Sequence, residues 1–325
     1  MQRIGCEGVP VDSRNQVFST LSARRRYEVW FVRLGLANGS GAWWLRYLLM
    51  NPGRGGCAPD RLGSPVQVWA AWFQKAAEAK SFIQGFPLQG FQLSARGVSP
   101  FRFRVGENTI GEDSCRGHLQ VDGHEVSWDL RYRSTFSVTL SDRGWIGFSR
   151  TAHSDAVFAG RITLDGRVFE GQPLGFGIQG HNCGYRHRSF WVWTHAYFPR
   201  PAGGASTFEA LLYNMPLGLM ARKAVLWHQG KEYVLRNLRE EARDRQRMQW
   251  NLRGSTRDGC SVEAAIDGSG RLIHPLPYLR TDCSGSFEVA NNSLARATVR
   301  LHRPAVPVEV LETVDGAVLE IGGQG

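Results

Sequence analysis

Tyr27-Glu28-Val29-Trp30-Phe31-Val32-Arg33-Leu34 and Ala42-Trp43-Trp44-Leu45-Arg46-Tyr47-Leu48-Leu49 flank the tetrapeptide Asn38-Gly39-Ser40-Gly41. Aromatic and β-branched side chains suit a pleated, buried surface, and Asn-Gly between two apolar runs is a hairpin signal. The stretch therefore reads as a β-hairpin. Outward from it the pattern repeats. Residues 65–75 read as a third strand, although their alanines leave a short helix open. Further strands are expected at 101–105, 117–121, 125–132, 160–164 and 190–198. Several are bounded by turn dipeptides such as Asp122-Gly123 and Asp165-Gly166.

The second half continues with 208–213, 221–228, 232–235, 246–252, 261–266, 285–289, 295–302 and 308–321, the last broken by the turn signal Asp315-Gly316. Only the charge-dense 237–245 suggests a helix. Many short strands at regular spacing imply an all-β chain of antiparallel barrels. At 325 residues the chain exceeds one ordinary domain. The Pro/Gly/Ser-rich 199–206 reads as a connection, giving a tail at 1–22, an N-terminal barrel at 23–200 and a C-terminal barrel at 201–325.

Composition narrows the class. With 42% hydrophobic residues and 11 tryptophans the chain is globular. No apolar run approaches the roughly 20 residues of a membrane helix, and residues 1–10 lack the apolar core of a signal peptide, so the expectation is a cytoplasmic protein. Six singly spaced cysteines argue for reduced thiols and against a cysteine-bound metal. The net charge of +10 is scattered. Arg33, Arg46, Arg102, Arg104, Arg131 and Arg133 interrupt strands, where alternation would put them on solvated faces, so nucleic acid is not expected as a partner. Solubility is the plainer reading of the charge, and a weak, peripheral attraction to anionic membrane surfaces the sharper one.

No nucleophile elbow, zincin helix or phosphate loop occurs, so neither a metal nor another cofactor is expected, and function must lie in a constellation. Residues 174–198 are the densest candidate. There Trp191, Trp193 and His195 stand at period two and share a face. His195 reads equally as a core histidine bonded to a backbone carbonyl or as part of a ligand site. His181 and Asn182 lie in a Gly-rich segment, read as a turn closing a barrel mouth, where they would face a ligand or else cap the turn. Glu28 and Asp129 interrupt aromatic strands. A carboxylate among tryptophans is costly to bury alone, so each is paired, solvated or a functional acid, and Arg46 on the partner strand is the natural mate for Glu28.

Gly-His-Asn-Cys-Gly at 180–184 followed by Trp191-Val192-Trp193 resembles the His-Asn-Trp-Gly and tryptophan-strand signature of the lipocalin-like superfamily of carotenoid 1,2-hydratases, tocopherol cyclases and Diels–Alderase relatives. Tyr27-Glu28-Val29-Trp30, Trp44-Leu45-Arg46-Tyr47, Val126-Ser127-Trp128-Asp129-Leu130 and Val289-Ala290-Asn291-Asn292-Ser293-Leu294-Ala295 look like further pieces of it, in order. The resemblance implies two calycin barrels side by side and an apolar pocket for an isoprenoid, polyene or polyketide-like molecule. That molecule would be hydrated or cyclised, or simply carried. Glu28, Asp129 and His181 are then the catalytic candidates, with Asn182, Trp191, Trp193, His195 and Arg46 contacting ligand. The chain departs from the pattern at Gly180, where hydratases of the group can hold the acid, and at Cys183, the usual tryptophan.

Overall fold

A computed structural model describes residues 13–19, 25–51, 64–75, 77–144, 146–200, 204–270, 273–281 and 285–323. The first antiparallel sheet contains β1 (Arg26–Leu36), β2 (Gly41–Asn51), β3 (Val66–Gln74), β4 (Lys80–Phe86), β5 (Gln92–Leu93) and β6 (Phe103–Val105). It continues through β7 (Asn108–Ile110), β8 (Ser114–Val121), β9 (His124–Arg133), β10 (Val138–Asp142), β11 (Gly147–Leu164) and β12 (Arg167–Gly184). The second contains β13 (Phe190–Pro199), β14 (Ala205–Asn214), β15 (Met220–His228), β16 (Lys231–Val234) and β17 (Arg236–Asp244). It ends with β18 (Gln249–Ser255), β19 (Ser261–Asp267), β20 (His274–Leu279), β21 (Ser286–His302) and β22 (Glu309–Gly323).

Strand accounts for 70% of the described residues and helix for 2%, in agreement with the expected all-β, two-barrel fold. The first sheet runs β4-β3-β2-β1-β12-β11-β9-β8-β7-β6-β5, and its curl brings the Gln84 side chain of β4 to the Gln120 amide of β8. The second runs β16-β15-β14-β13-β22-β21-β19-β18-β17. The chain changes sheet between Gly184 and Phe190, so the 199–206 segment joins two strands of the second sheet. Residues 201–203, including Pro201, lie outside the described residues, as do Cys6, Cys57 and Cys283. Cys115, Cys183 and Cys260 are free and buried.

The hairpin turn forms as its residues dictate. Gly39 takes φ 68°, and Asn38 accepts the Ser40 N–H at 3.0 Å. Both strands are buried on both faces, which is why they read as continuous apolar runs. Trp30, Val32, Leu34, Trp43, Leu45 and Tyr47 fill the first unit's interior. Val29, Phe31, Trp44 and Trp69 face outward and pack with Trp191, Trp193, Leu211 and Val318 of the second unit.

The 65–75 run is the expected strand, β3. Three local expectations are corrected. The charge-dense 237–245 is the edge strand β17, bulged against β18; its charges lie mostly on solvated positions and protect an open edge. The Asp315-Gly316 pair does not turn the chain, because β22 continues through it with a bulge against β21. Arg33, expected on a solvated face, is fully buried between the units. Its guanidinium donates to the carbonyls of Ser293, Asp315, Gly316 and Ala317, which the bulged pairing leaves available. Burial presses its pKa down to about 10, against the opposing charge of Asp315.

Residues 14–19 of the expected tail are part of the fold. Asn15 is buried in a reciprocal amide pair with Gln179, at 2.8 and 3.0 Å, and its carbonyl accepts the Trp30 indole N–H at 3.1 Å. Val17 joins the first core.

Candidate functional site

A cavity lies between the two units rather than inside either, and encloses about 880 Å³ of space between protein atoms, its open mouth included. The barrel interiors themselves are filled by side chains such as Trp43 and Trp72 in the first and Phe208 and Trp250 in the second. From the first unit come Val29 and Phe31 of β1, Trp44 and Arg46 of β2, Asn182 of β12 and Phe148 of β11. From the second come Trp191 and Trp193 of β13, Leu211 and Tyr213 of β14, Tyr278 of β20 and Glu320 of β22. Arg186, His187 and Arg188, in the connection between the sheets, complete the wall.

Strand register explains this grouping. Trp193 pairs with Leu211 on one side and Glu320 on the other, while His195 pairs with Glu209 and Val318. Paired residues share a face, so one outer face of the second sheet carries the aromatic pair and both carboxylates. The indole N–H of Trp191 donates to Glu320 at 2.8 Å, and that of Trp193 to Glu209 at 3.2 Å. Glu320 also accepts from the Tyr278 hydroxyl at 2.8 Å and from Asn291 at 3.5 Å.

Glu209 sits behind Trp193 and does not line the cavity. Burial raises its carboxyl to about 7, against hydrogen bonds from Thr151 and Trp193, and its Oε2 has no partner. His195 is equally recessed. Its Nε2–H donates to the Ser154 carbonyl at 2.7 Å, Nδ1 is unpartnered, and burial drops its pKa to about 3. The ring is thus a neutral core group bonded to a backbone carbonyl, one of the two roles its sequence context left open. His187 stacks on Tyr27 with ring centroids 4.1 Å apart, and burial, with the charge of Arg46, lowers it to about 3 as well.

The other sequence candidates separate. Glu28 and Arg46 do not pair. In register Glu28 opposes Leu49 and Arg46 opposes Phe31, so the carboxylate faces the first barrel's interior side and the guanidinium the cavity. Glu28 accepts instead from His181, and from the N–H groups of Phe18 and Ser19 at 2.8 and 2.7 Å. The 180–184 segment is the end of strand β12 and not a turn, so His181 and Asn182 point to opposite faces. His181 stacks on Trp30, away from the cavity. Asn182 lines it, with a buried Oδ1 that has no partner. Asp129 lies on the solvated face of β9 in an ion pair with Arg116. Cys183 shares the face of His181, and burial pushes its thiol up. Gly180 faces the cavity side, where a Cβ would stand 2.4 Å from the Phe31 ring.

Arg46 is 4% exposed. Its guanidinium carbon lies 4.0 Å from the Tyr278 ring centroid and 4.5 Å from that of Trp69, and Nη1 has no hydrogen-bond partner. Sequence reasoning missed Tyr27, His187, Tyr213, Tyr278 and Glu320, which come from five separate segments and carry no local pattern. Among the described residues no three His, Cys, Asp or Glu side chains gather as a metal site, and no helix is long and apolar enough to cross a membrane.

Fold and site together define a two-barrel β protein with an aromatic cavity between its units. In structure the chain is similar to kievitone hydratase from Nectria haematococca, with a TM-score of 0.54 and 13% identity over 96% of this chain and 94% of that one. It is also similar to CghA, in a structure with Sch210972, with a TM-score of 0.62 and 10% identity over 93% of this chain and 89% of that one. These likenesses are ones of fold, lipocalin-like in each case. A scan against family models finds no match, and a search of curated proteins by sequence finds none.

Proposed function

We propose that this protein takes a polyene, isoprenoid or polyketide-like molecule into the cavity between its barrels and catalyses its cyclisation. The observation that carries the reading is the cavity wall, in which aromatic faces from both units surround a few polar groups, Arg46 and Asn182 among them, with unpartnered atoms. Such a wall fixes the shape and orientation of an apolar chain, and orientation alone can supply a large part of a cyclisation barrier. The fold is shared with kievitone hydratase and with CghA, in a structure with Sch210972, which agrees with small-molecule chemistry.

Cyclisation is favoured over hydration by the acids present. Hydration of an alkene needs a proton donor at the reacting carbon. The position that can hold an acid in hydratases of the resembled group is Gly180, and Phe31 fills the space beside it. The sole carboxylate among the described lining residues, Glu320, already accepts hydrogen bonds from Trp191, Tyr278 and Asn291.

The test is mass spectrometry of organic extract from the purified protein, followed by incubation with acyclic polyenes of the mass class found. An isomer of unchanged mass formed only with active protein is the expected product. A product heavier by one water would replace cyclisation with hydration. Retention of an unaltered ligand would leave a carrier, and the absence of any bound or converted polyene would end the reading.

A further inference from the structure

We infer that the cavity's ligand is an amphipathic anion, a hydrocarbon carrying an acidic oxygen that the Arg46 guanidinium receives. The inference rests on the cavity being the ligand site and specifies the substrate class it takes. It starts from an unpaired charge. Arg46 is buried and lines the cavity, its Nη1 has no hydrogen-bond partner, and among the described residues no carboxylate forms an ion pair with it. Its contacts are the faces of Tyr278 and Trp69. Guanidinium groups do not deprotonate in proteins, and a buried one without a carboxylate is costly. Ring faces offset part of that cost. An anionic oxygen arriving from the cavity would offset the rest, with charge-assisted bonds from the planar fork.

The remaining lining charges point the same way. Among the described lining residues Arg46, Arg186 and Arg188 stand against one carboxylate, Glu320, so three positive groups face one negative. His187 adds no charge near neutrality, since burial and the Arg46 charge hold it near 3. Around these charges the wall is aromatic, with Phe31, Trp44 and Trp193 meeting edge to face or stacked at 5.7–5.9 Å and Trp191 beside Tyr278 at 6.1 Å. A purely apolar ligand would use the rings and leave Arg46 desolvated and unpaired. A carboxylate or enolate attached to a conjugated or branched hydrocarbon uses both. Asn182 Oδ1, also unpartnered, is available to accept from a hydroxyl or amide N–H of the same ligand.

Titration of tryptophan fluorescence with all-trans-retinoate and all-trans-retinol tests this, because the two probes share one hydrocarbon and differ in the head group. Retinoate should bind the full chain at least about tenfold more tightly, and Arg46→Met, which keeps the packing length without the charge, should bring the ratio near one. Should that variant fail to fold, Asn182→Asp sets a carboxylate in the cavity and should cut the ratio by about fivefold or more. Equal binding of the two probes to the native chain, or a ratio unchanged in a folded variant, overturns the inference while leaving the cavity a ligand site. Binding of neither probe removes the cavity reading and the inference with it.

Discussion

Glu28 Oε1 lies 2.8 Å from His181 Nε2, and both side chains are completely buried. The other ring nitrogen, Nδ1, donates to the Arg14 carbonyl at 2.7 Å, and the other carboxylate oxygen accepts the Ser19 amide. The pair therefore fastens the N-terminal segment over the first barrel. Removing Glu28 leaves several buried donors without a partner. Glu28→Ala should cost about 3–5 kcal/mol in urea unfolding, and His181→Ala should lower the melting temperature without altering ligand affinity per folded molecule.

The same pair sets an acid limb. Burial alone would raise the Glu28 carboxyl, but His181 and the N–H groups of Ser19 and Phe18 outweigh it and hold the group below its ordinary 4.5. A carboxyl depressed in the folded state contributes stability that is complete above the unfolded value and is lost as pH falls through the folded one. Melting temperatures of the native chain and Glu28→Gln should thus converge on acidification below about pH 4.5. A constant gap down to pH 2 would rule this out.

Glu209 works with the opposite sign. Burial raises its carboxyl from 4.5 to about 7, so the folded state keeps a proton that the unfolded state releases between those values. Stability from this group falls as pH rises from about 4.5 to about 7 and is flat above. Glu209→Gln, which keeps the acceptor for Trp193 and Thr151, should be nearly neutral at pH 5 and stabilising by about 1–3 kcal/mol at pH 8. Calorimetry at the two pH values checks it, and a variant less stable at pH 8 than at pH 5 relative to the native chain would contradict it.

Gly180 and Phe31 are coupled by space. Because a Cβ at 180 would meet the Phe31 ring at 2.4 Å, Gly180→Ala should destabilise by about 1–3 kcal/mol. Phe31→Leu should relieve part of that loss, giving a coupling of about 0.5 kcal/mol or more in a double-mutant cycle. Strict additivity of the two changes would mean that the ring moves aside freely.

Arg33 couples the units through four carbonyls of the second one. Arg33→Met should leave those acceptors buried and unpaired, costing about 3 kcal/mol or more. It should also split a single unfolding transition towards two, read by calorimetry. A loss with cooperativity fully intact would show that the units are held together mainly by the aromatic cluster.

The sequence determined the strands and their alternation. Aromatic and β-branched runs between Asn-Gly and Asp-Gly turns located most of the ladder, and period two put Trp191 and Trp193 on one face, where both line the cavity. Edge strands were harder. The charges of 237–245 satisfy a helix surface and a solvated strand edge equally, and only pairing with β18 selects the strand. Of the expected ligand contacts, Arg46, Asn182, Trp191 and Trp193 meet at the cavity and His195 does not, and none of the catalytic candidates Glu28, Asp129 and His181 lines it.

That division has one physical cause. Alternation tells which residues share a face but not what the face meets. Glu28 and Arg46 lie on neighbouring strands, and register puts them on opposite sides of the sheet. The packing of two outer sheet faces then made Arg33 and Arg46 interior, although their sequence context is that of solvated arginines. Docking also gathered Tyr27, His187, Tyr278 and Glu320 from distant segments into one wall. Local chemistry thus decided where the chain is extended, and the contact between units, a non-local event with no periodic signature, decided which side chains surround the cavity.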